Sequence, residues 1–442
     1  MTAQGSSSGG AAPPQRSPRH ITLDGRTLEG GGQLVRNALA LAALTGRPVT
    51  INHVRGNRGG KTGLKASHAA AVKLLGDISG STVTGGQVGS RSVTFEPQQF
   101  EREESPAERL AVPSSMLVPL SRVSPKPEYN IILPTPGSVF LIFQAIYPYM
   151  LWLGSQPAIE KIRVNITGGT NGTNSPSYDY ATQVMLPNFK KLGLPSAEVI
   201  LHKRGWSNGV VDMGSVSFHI TPLEASTEFP CFPPINIMEY DRGKITRVDI
   251  TILAPDFRIS ESEKKGQLQA VRQYCDRQIR RTLRKGLKKM DSSLFDQEFL
   301  DIQDDGGPVP ITLAQSEATS HPSRFYILLV AETTEGFKIG NKHKEDKKGS
   351  SQNNGTGMEH IDDFIEGCVQ GFIDEISGLH TDESRKVRSP LDQFMRDQIV
   401  VFEALGRLSN EQDKKVKPDE DERYWTLHTK TSQWVCEEML RG

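Results

Sequence analysis

The sequence predicts an α/β (α+β) protein in which one helix-to-strand pattern recurs three times around a shared centre, with a smaller α/β domain inserted before the last copy. Three observations predict it. Apolar stripes at helical spacing alternate with short β-rich runs. Glycine and proline stop the helices at corresponding places. Polar loops follow each strand end, and units repeated in this way usually pack on one another.

The first copy starts with the strand Ile21–Leu23, followed by Asp24-Gly25 and Glu29-Gly30-Gly31-Gly32. Leu34, Ala38, Leu41 and Thr45 then line one side of a helix that Gly46 and Pro48 stop. A strand over Val49–Val54, a basic loop, a helix around Leu64–Leu75 and a strand over Ser92–Phe95 follow. The second copy starts near Tyr129, with a helix opened by Gly137-Ser138 and closed by Gly154. A strand at Ile162–Ile166, a helix ending near Leu192, and strands Glu198–Leu201 and Ser215–Ile220 complete it. The third copy is shorter: a helix Asp397–Leu405, a strand Tyr424–Leu427, His428, and a helix from about Thr431 to Leu440. Between the second and third copies, Thr246–Leu253 and Arg324–Ala331 read as strands and Gly266–Leu287 as a helix, which makes the inserted domain.

These units divide the chain into a Gly/Ser/Pro-rich disordered tail (1–18), two repeats (19–234), the insert (235–340), a flexible loop (341–358) and a third repeat (359–442). The charged run Ser409–Arg423 reads as a solvated spacer inside the last unit.

Composition limits the function classes. The chain has 442 residues, 52 Lys and Arg against 52 Asp and Glu, and 24% charged residues. Zero net charge argues against coating long nucleic acid by bulk electrostatics but leaves room for a pocket gripping one phosphate end. Cys231, Cys275, Cys368 and Cys436 lie far apart without a CxxC pair, so a disulfide framework or zinc ribbon is not expected and a reducing compartment fits. The first residues lack the apolar core of a signal peptide. The most apolar stretch, Val139 to Gly154, is shorter than the ~20 residues that span a bilayer and reads as a buried helix.

Four clusters could carry chemistry. In Glu29-Gly-Gly-Gly-Gln33-Leu-Val-Arg36, three glycines before a helix expose backbone N–H groups at its positive end, an anion cradle. Gln33 and Arg36, three apart, reach one face, and Glu29 could ligate a divalent cation. Alone, the cluster also describes a Gly-rich turn before a helix. Arg55-Gly-Asn-Arg58-Gly-Gly-Lys61 follows a strand end with guanidinium forks suited to phosphate; a solvated basic loop is the bland reading. His428 lies between a strand and a helix N-terminus, whose dipole keeps the ring neutral and hence nucleophilic. His68, midway along a helix, reads as a packed histidine. In Asp392-Gln-Phe394-Met-Arg-Asp397-Gln398 an aromatic and paired polar residues could stack on and hydrogen-bond a base, or merely open a helix. The insert adds Arg277, Arg280, Arg281, Arg284, Lys285 and Lys288 beside an apolar stripe, a face for RNA phosphates or for water.

Taken together, LDGRTLEGGGQLVRNALALAALTG and VRGNRGGKTGLKASH resemble the RNA 3′-terminal phosphate cyclase family. The likeness continues through PGSVFLIFQAIYP, VNITGGTN, FMRDQIVVFEALG and LHTKTSQWVCEEML. The resemblance implies three βαβαββ-type repeats with a smaller inserted α/β domain. It implies an ATP-dependent ligase that converts an RNA 3′-phosphate to a 2′,3′-cyclic phosphodiester through an adenylylated histidine and an RNA-adenylate. It makes His428 the nucleophile and Glu29 a ligand of Mg²⁺ or Mn²⁺. It makes Gln33, Arg36, Arg55 and Arg58 the grip on phosphates and the RNA end. Gln144, Phe394, Asp397 and Gln398 are implied as nucleotide contacts, Phe394 as the adenine-stacking aromatic and Pro176 as the opposite wall. Implied partners are ATP and 3′-phosphorylated RNA, without a membrane, in the nucleus (nucleoplasm or nucleolus) or alternatively the cytoplasm. The chain departs from the family pattern at Thr62 and Ser67, near RGWSNGVVDMGS, and at TKTS after the histidine. The alternative is the catalytically inactive cyclase-like branch, active in rRNA processing or ribosome assembly, whose members typically lack the histidine and the Glu-Gly-Gly-Gly signature that this chain keeps.

Overall fold

The computed structural model describes residues 20–60, 62–98, 117, 125–154, 159–172, 174–207, 210–224, 231–256, 258–260, 268–296, 298, 307–322, 324–344, 357–378, 388–408 and 426–441. The N-terminal tail, Lys61 and the spacer Ser409–Arg423 lie outside these residues.

The first repeat runs β1 (Ile21–Asp24), α1 (Gly32–Thr45), β2 (Val49–Asn52), α2 (Ala66–Ser79), β3 (Thr82–Thr84) and β4 (Val93–Glu96). Gly46, in the left-handed region at φ 68°, ends α1, and Gly80 at φ 64° ends α2. The second repeat runs β5 (Glu128–Ile132), α3 (Val139–Leu153), β6 (Ile162–Gly168), α4 (Tyr178–Tyr180), a π-helical turn (Ala181–Met185), α5 (Leu186–Lys191), β7 (Ala197–Lys203) and β8 (Gly214–Ile220). The wide turn comes just before Pro187, whose ring would otherwise press on the carbonyl one turn back.

The two sheets have the same order, β1-β2-β4-β3 and β5-β6-β8-β7. In each, the first two strands are parallel and the other pairings antiparallel. Each is therefore a βαβαββ unit. Helix α3 is buried all round because α1 and α2 pack against it as well as its own sheet. That explains an apolar run without a polar face. No helix among the described residues is long and apolar enough to cross a membrane.

The insert holds β9 (Ile245–Pro255), a hairpin of β10 (Arg258–Ser260) and β11 (Leu268–Ala270), α6 (Val271–Leu287), β12 (Ile311–Thr319), β13 (Tyr326–Thr333) and β14 (Lys338–Lys344). Its sheet has the order β12-β9-β13-β14. Helix α6 starts at Val271 rather than Gly266, because Leu268–Ala270 pairs with Arg258–Ser260 first. One sheet face carries Leu253, Tyr326, Leu328 and Val330 into the main core; the other carries Ile250, Ile252, Ile327 and Leu329 into a second core. That second core is closed by α6 and by α7 (Gly357–Ser377), so it draws on residues as far as Ile376, beyond the segment read from sequence.

The third copy contributes α8 (Gln393–Leu408) and α9 (Leu427–Leu440). Of the expected strand Tyr424–Leu427, the two described residues, Thr426 and Leu427, form no strand. Leu427 is already helical, with Thr426 capping α9 by accepting from the Thr429 N–H at 3.2 Å. Residues 424 and 425 lie outside the described residues. Helix α9 packs on α1 and α8, and Arg47 donates to the carbonyls of Met439 (3.1 Å) and Arg441.

Candidate active site

The parallel strands β1 and β2 end side by side, and the loops leaving them carry the first two motifs. Three non-glycine residues there sit in the left-handed region: Leu28 (φ 54°), His53 (φ 50°) and Arg55 (φ 58°). Such strain persists only where surroundings impose it, commonly at functional sites. The surroundings are visible. Asn57 Nδ2 donates to the carbonyls of Arg26 and Leu28, tying the arginine loop onto the glycine loop. Gly30, at φ 58°, has no room for a Cβ beside Gly25 and Asn57.

Helix α1 begins at Gly32 with no side-chain cap, so its first N–H groups face the site. Glu29 is buried, and its N–H donates to Thr431 Oγ1 at 3.2 Å, joining the first repeat to α9. Its carboxylate lies between Arg58 and His428. Arg58 pairs with Oε1, and His428 Nδ1 is 2.8 Å from Oε2. Neither carboxylate oxygen has a partner in hydrogen-bond geometry. A hard divalent cation fits such an oxygen pair. Among the described residues no group of three acidic, histidine or cysteine side chains could hold one alone, so phosphate oxygens and water would complete the shell. Such a cation and Arg58 would compete for the same carboxylate.

His428 is the second residue of α9, half-exposed. Partial burial pushes its pKa below the ordinary value; the Asp397 carboxylate opposes this, and Arg58 and Arg36 add to it. The ring is neutral at neutral pH, as its place at a helix N-terminus also requires. With Nδ1 turned to Glu29, Nε2 is the ring nitrogen left for chemistry. Asp397 is buried, which raises its pKa; Gln398 Nε2, donating to Oδ1 at 2.7 Å, and the charges of His428 and Arg36 oppose the rise.

Arg36 is buried, donates to Gln33 Oε1, and leaves Nε unpartnered. Burial lowers its pKa to about 10, with Asp397 opposing. Beside it stands His68. It belongs to the first turn of α2, not the middle, and is buried with Nε2 against Gly32. Its Nδ1 accepts from the Lys65 N–H at 3.3 Å, and burial with Arg36, Arg55 and Lys65 drives its pKa well down. His68 is packed, as the sequence suggests, but it is packed at the start of α2 against the glycine loop rather than midway along a helix.

Gln33, Gln144 and Gln398 meet in one small recess, with Asn37 beside them and Phe143, Tyr147 and Phe402 in its lining. Gln144 Oε1 and Asn37 Nδ2 are buried there without partners. Asn37 was missed; it sits four residues after Gln33, accepts from it at 3.5 Å, and so shares its face.

Phe394, exposed, begins α8 and stands edge-on to Tyr180 at 6.3 Å. Pro176, half-buried, belongs to the loop leading into Tyr180, pinned by Ser177, which accepts from the Tyr180 N–H and meets Tyr326 Oη. Asp392 also holds this corner. Its Oδ1 accepts from Tyr180 Oη (2.6 Å) and the N–H groups of Phe394 and Met395, and its Oδ2 accepts from Gly340 N–H. The structure thus brings Glu29, Arg36, Arg58, Asp397 and His428 together and places the three glutamines in one recess; Phe394 it sets against Tyr180, with Pro176 in the loop leading to that residue. Arg55 borders the site from its strained turn, where burial lowers its pKa.

The sequence model of the RNA 3′-terminal phosphate cyclase family matches residues 27–442. The chain belongs to this family. Cyclase-family relatives with the same printed name include a protein of Koribacter versatilis, 32% identical over 206 residues (46% of this chain, 48% of that one). One from Thermococcus onnurineus is 35% identical over 185 residues and one from Pyrococcus furiosus 33%, each covering 42% of this chain and 45% of the relative. The chain spans about half the length of these curated relatives in the matched regions.

Proposed function

We propose that the protein is an RNA 3′-terminal phosphate cyclase, an ATP-dependent ligase that closes a 3′-phosphate onto the adjacent 2′-oxygen. The observation that carries the reading is the neutral His428, with Nδ1 2.8 Å from the buried Glu29 carboxylate and guanidinium groups on either side.

His428 Nε2 attacks the α-phosphorus of ATP. An N–P bond forms, the α–β bridging bond breaks and pyrophosphate leaves. Arg36, Arg58 and the free N–H groups of α1 face the charge that develops on phosphoryl oxygens, which is where such a reaction needs help. An oxygen of the RNA 3′-phosphate then takes the AMP, breaking the N–P bond and freeing the histidine. Finally the 2′-oxygen, losing its proton, attacks the 3′-phosphorus and AMP departs. Phe394 offers a face for the adenine, and the glutamine recess offers amide donors and acceptors beside it. Glu29 is the proposed ligand for Mg²⁺ or Mn²⁺, which when bound would neutralise phosphate charge.

The test incubates the full chain with ATP radiolabelled at the α-phosphorus and Mg²⁺ or Mn²⁺, beside His428→Ala, and resolves both under denaturing conditions. Acid-labile label on the wild type alone, passed on to 3′-phosphorylated RNA, is expected. A folded wild type that takes no label with either metal would overturn the reading.

A further inference from the structure

Between Val271 and Lys289 the chain places eight Lys and Arg against one acid, a net +7 in a protein whose net charge is zero, so the remainder carries −7. Burial divides these residues cleanly. Val271, Tyr274, Cys275, Ile279, Leu283 and Leu287 enter the second core. Arg281, Lys285 and Lys288 stand exposed on the opposite side, one per turn, with Lys289 just beyond. Arg272 and Arg280 pair with Asp256 and Asp276, and Arg247 pairs with Asp249 and Glu332. Among the described residues, Arg281, Lys285, Lys288 and Lys289 take no such partner. The helix dipole favours cations only in the last turn, which does not reach Arg281.

The position of this stripe is fixed. The insert's sheet has its other face on the main body, held by Gln183 with Thr251 (2.9 Å), Asn188 with Lys338 (2.8 Å) and Arg204 with Glu317 (2.7 Å). The outer side of α6 therefore points away from the body, a sheet spacing and a helix diameter beyond it, roughly 20 Å. No large hydrophobic residue of α6 is exposed. A protein interface needs an apolar centre, whereas a phosphate backbone needs only charge.

We propose that the outer face of α6 is a docking surface for the body of the RNA, gripping backbone phosphates upstream of the 3′ end. The identity of the RNA as substrate rests on the proposed function. At ~3.4 Å per nucleotide, a strand whose end occupies the histidine site reaches the stripe only beyond about six nucleotides.

The test compares the full chain with an Arg281→Gln/Lys285→Gln/Lys288→Gln variant, using fluorescein-labelled 3′-phosphorylated RNAs of three and twenty nucleotides across a salt series. At ~0.7 counterion per phosphate contact, the variant is expected to lower the slope of log K against log salt by about 2 for the longer RNA. It weakens that binding by roughly 10- to 50-fold at ~0.15 M salt. Binding of the trinucleotide and labelling of the protein by ATP stay unchanged. An unaltered slope for the long RNA overturns the proposal and leaves the stripe to another partner. Equal losses for both lengths also overturn it, since they place the effect at the end-binding site. A wild type that is not labelled by ATP, yet shows the length-dependent loss, overturns the cyclase reading and keeps the surface.

Discussion

Replacing Glu375 by glutamine should make the protein more stable above pH 7 and leave it unchanged near pH 4.5. Glu375 on α7 is fully buried beside the buried Asp392. Asp392 accepts from Tyr180 Oη and three backbone N–H groups, which oppose the rise to about 6 that burial gives its carboxyl; Glu375 accepts only from the Gln393 N–H (3.0 Å) and Nε2 (2.9 Å). Burial and the Asp392 charge push Glu375 from 4.5 up to about 7, with the Gln393 bonds and Arg242, on the far side, opposing. The folded state thus keeps a proton that the unfolded chain has released. The stability it brings is complete below pH 4.5 and lost as the pH rises to about 7. At ~1.4 kcal/mol per pH unit, the loss sums to roughly 3 kcal/mol. A glutamine can keep both contacts, because the Gln393 amide can turn over. It does not titrate, so the part of the slope that Glu375 contributes disappears, while Asp392 keeps its own. Thermal melts from pH 4.5 to 8.5 should converge at the acid end and separate by about 3 °C at the alkaline end if the chain melts as one unit. Parallel curves for the two proteins would refute the assignment of the shared proton to Glu375.

Other outcomes follow from single contacts. Gly32→Ala places a Cβ 2.4 Å from His68 Nε2 and 3.0 Å from Arg36 Nη1, so ATP labelling should fall by roughly 100-fold while circular dichroism stays native. Phe402→Ala removes a buried ring packed on Tyr147, Phe189 and Phe232, and urea titration should show a loss of about 3–5 kcal/mol. Arg204→Ala strands the fully buried Asp179 and should cost about 3–5 kcal/mol in the same assay, against little for Lys203→Ala on the surface.

Much of this architecture was legible because it is written in short-range patterns. Stripes at helical spacing and the glycines after them located α1 and α3, and the repeated punctuation showed that the first two repeats are copies; α8 was found by its stripe, but it starts at Gln393 rather than Asp397 and runs through Gly406 to Leu408. Other parts lacked such signals. Strand β12 is exposed along much of its length and carries no alternation to read. Thr82–Thr84 is only three residues long. The start of α9 was misplaced because Tyr424–Leu427 looks β-rich, while a threonine cap, visible only by its bond, begins a helix at Leu427. The site shows the same division. Glu29, Gln33 and Arg36 announce themselves through glycines before a helix. Asn37 shares the face of Gln33 at helical spacing, whereas His68, Tyr180 and Asp392 matter through neighbours far away in sequence, such as the 212 residues between Tyr180 and Asp392, and no local rule could pair them.

The Glu29 N–H and the Thr431 hydroxyl that it meets are 402 residues apart. At ~5–20 residues per second, a ribosome takes between about 20 and 80 seconds to travel from one to the other. During that interval the first repeat can close its sheet and present its glycine loop, yet the nascent chain does not hold His428, the nucleophile proposed above. On the proposed function, reactivity toward nucleotide therefore waits until α9 has been made. It also divides the protein at a natural seam: a fragment ending before α9 and a synthetic α9 peptide make a split pair whose reunion could be read by label on the peptide alone.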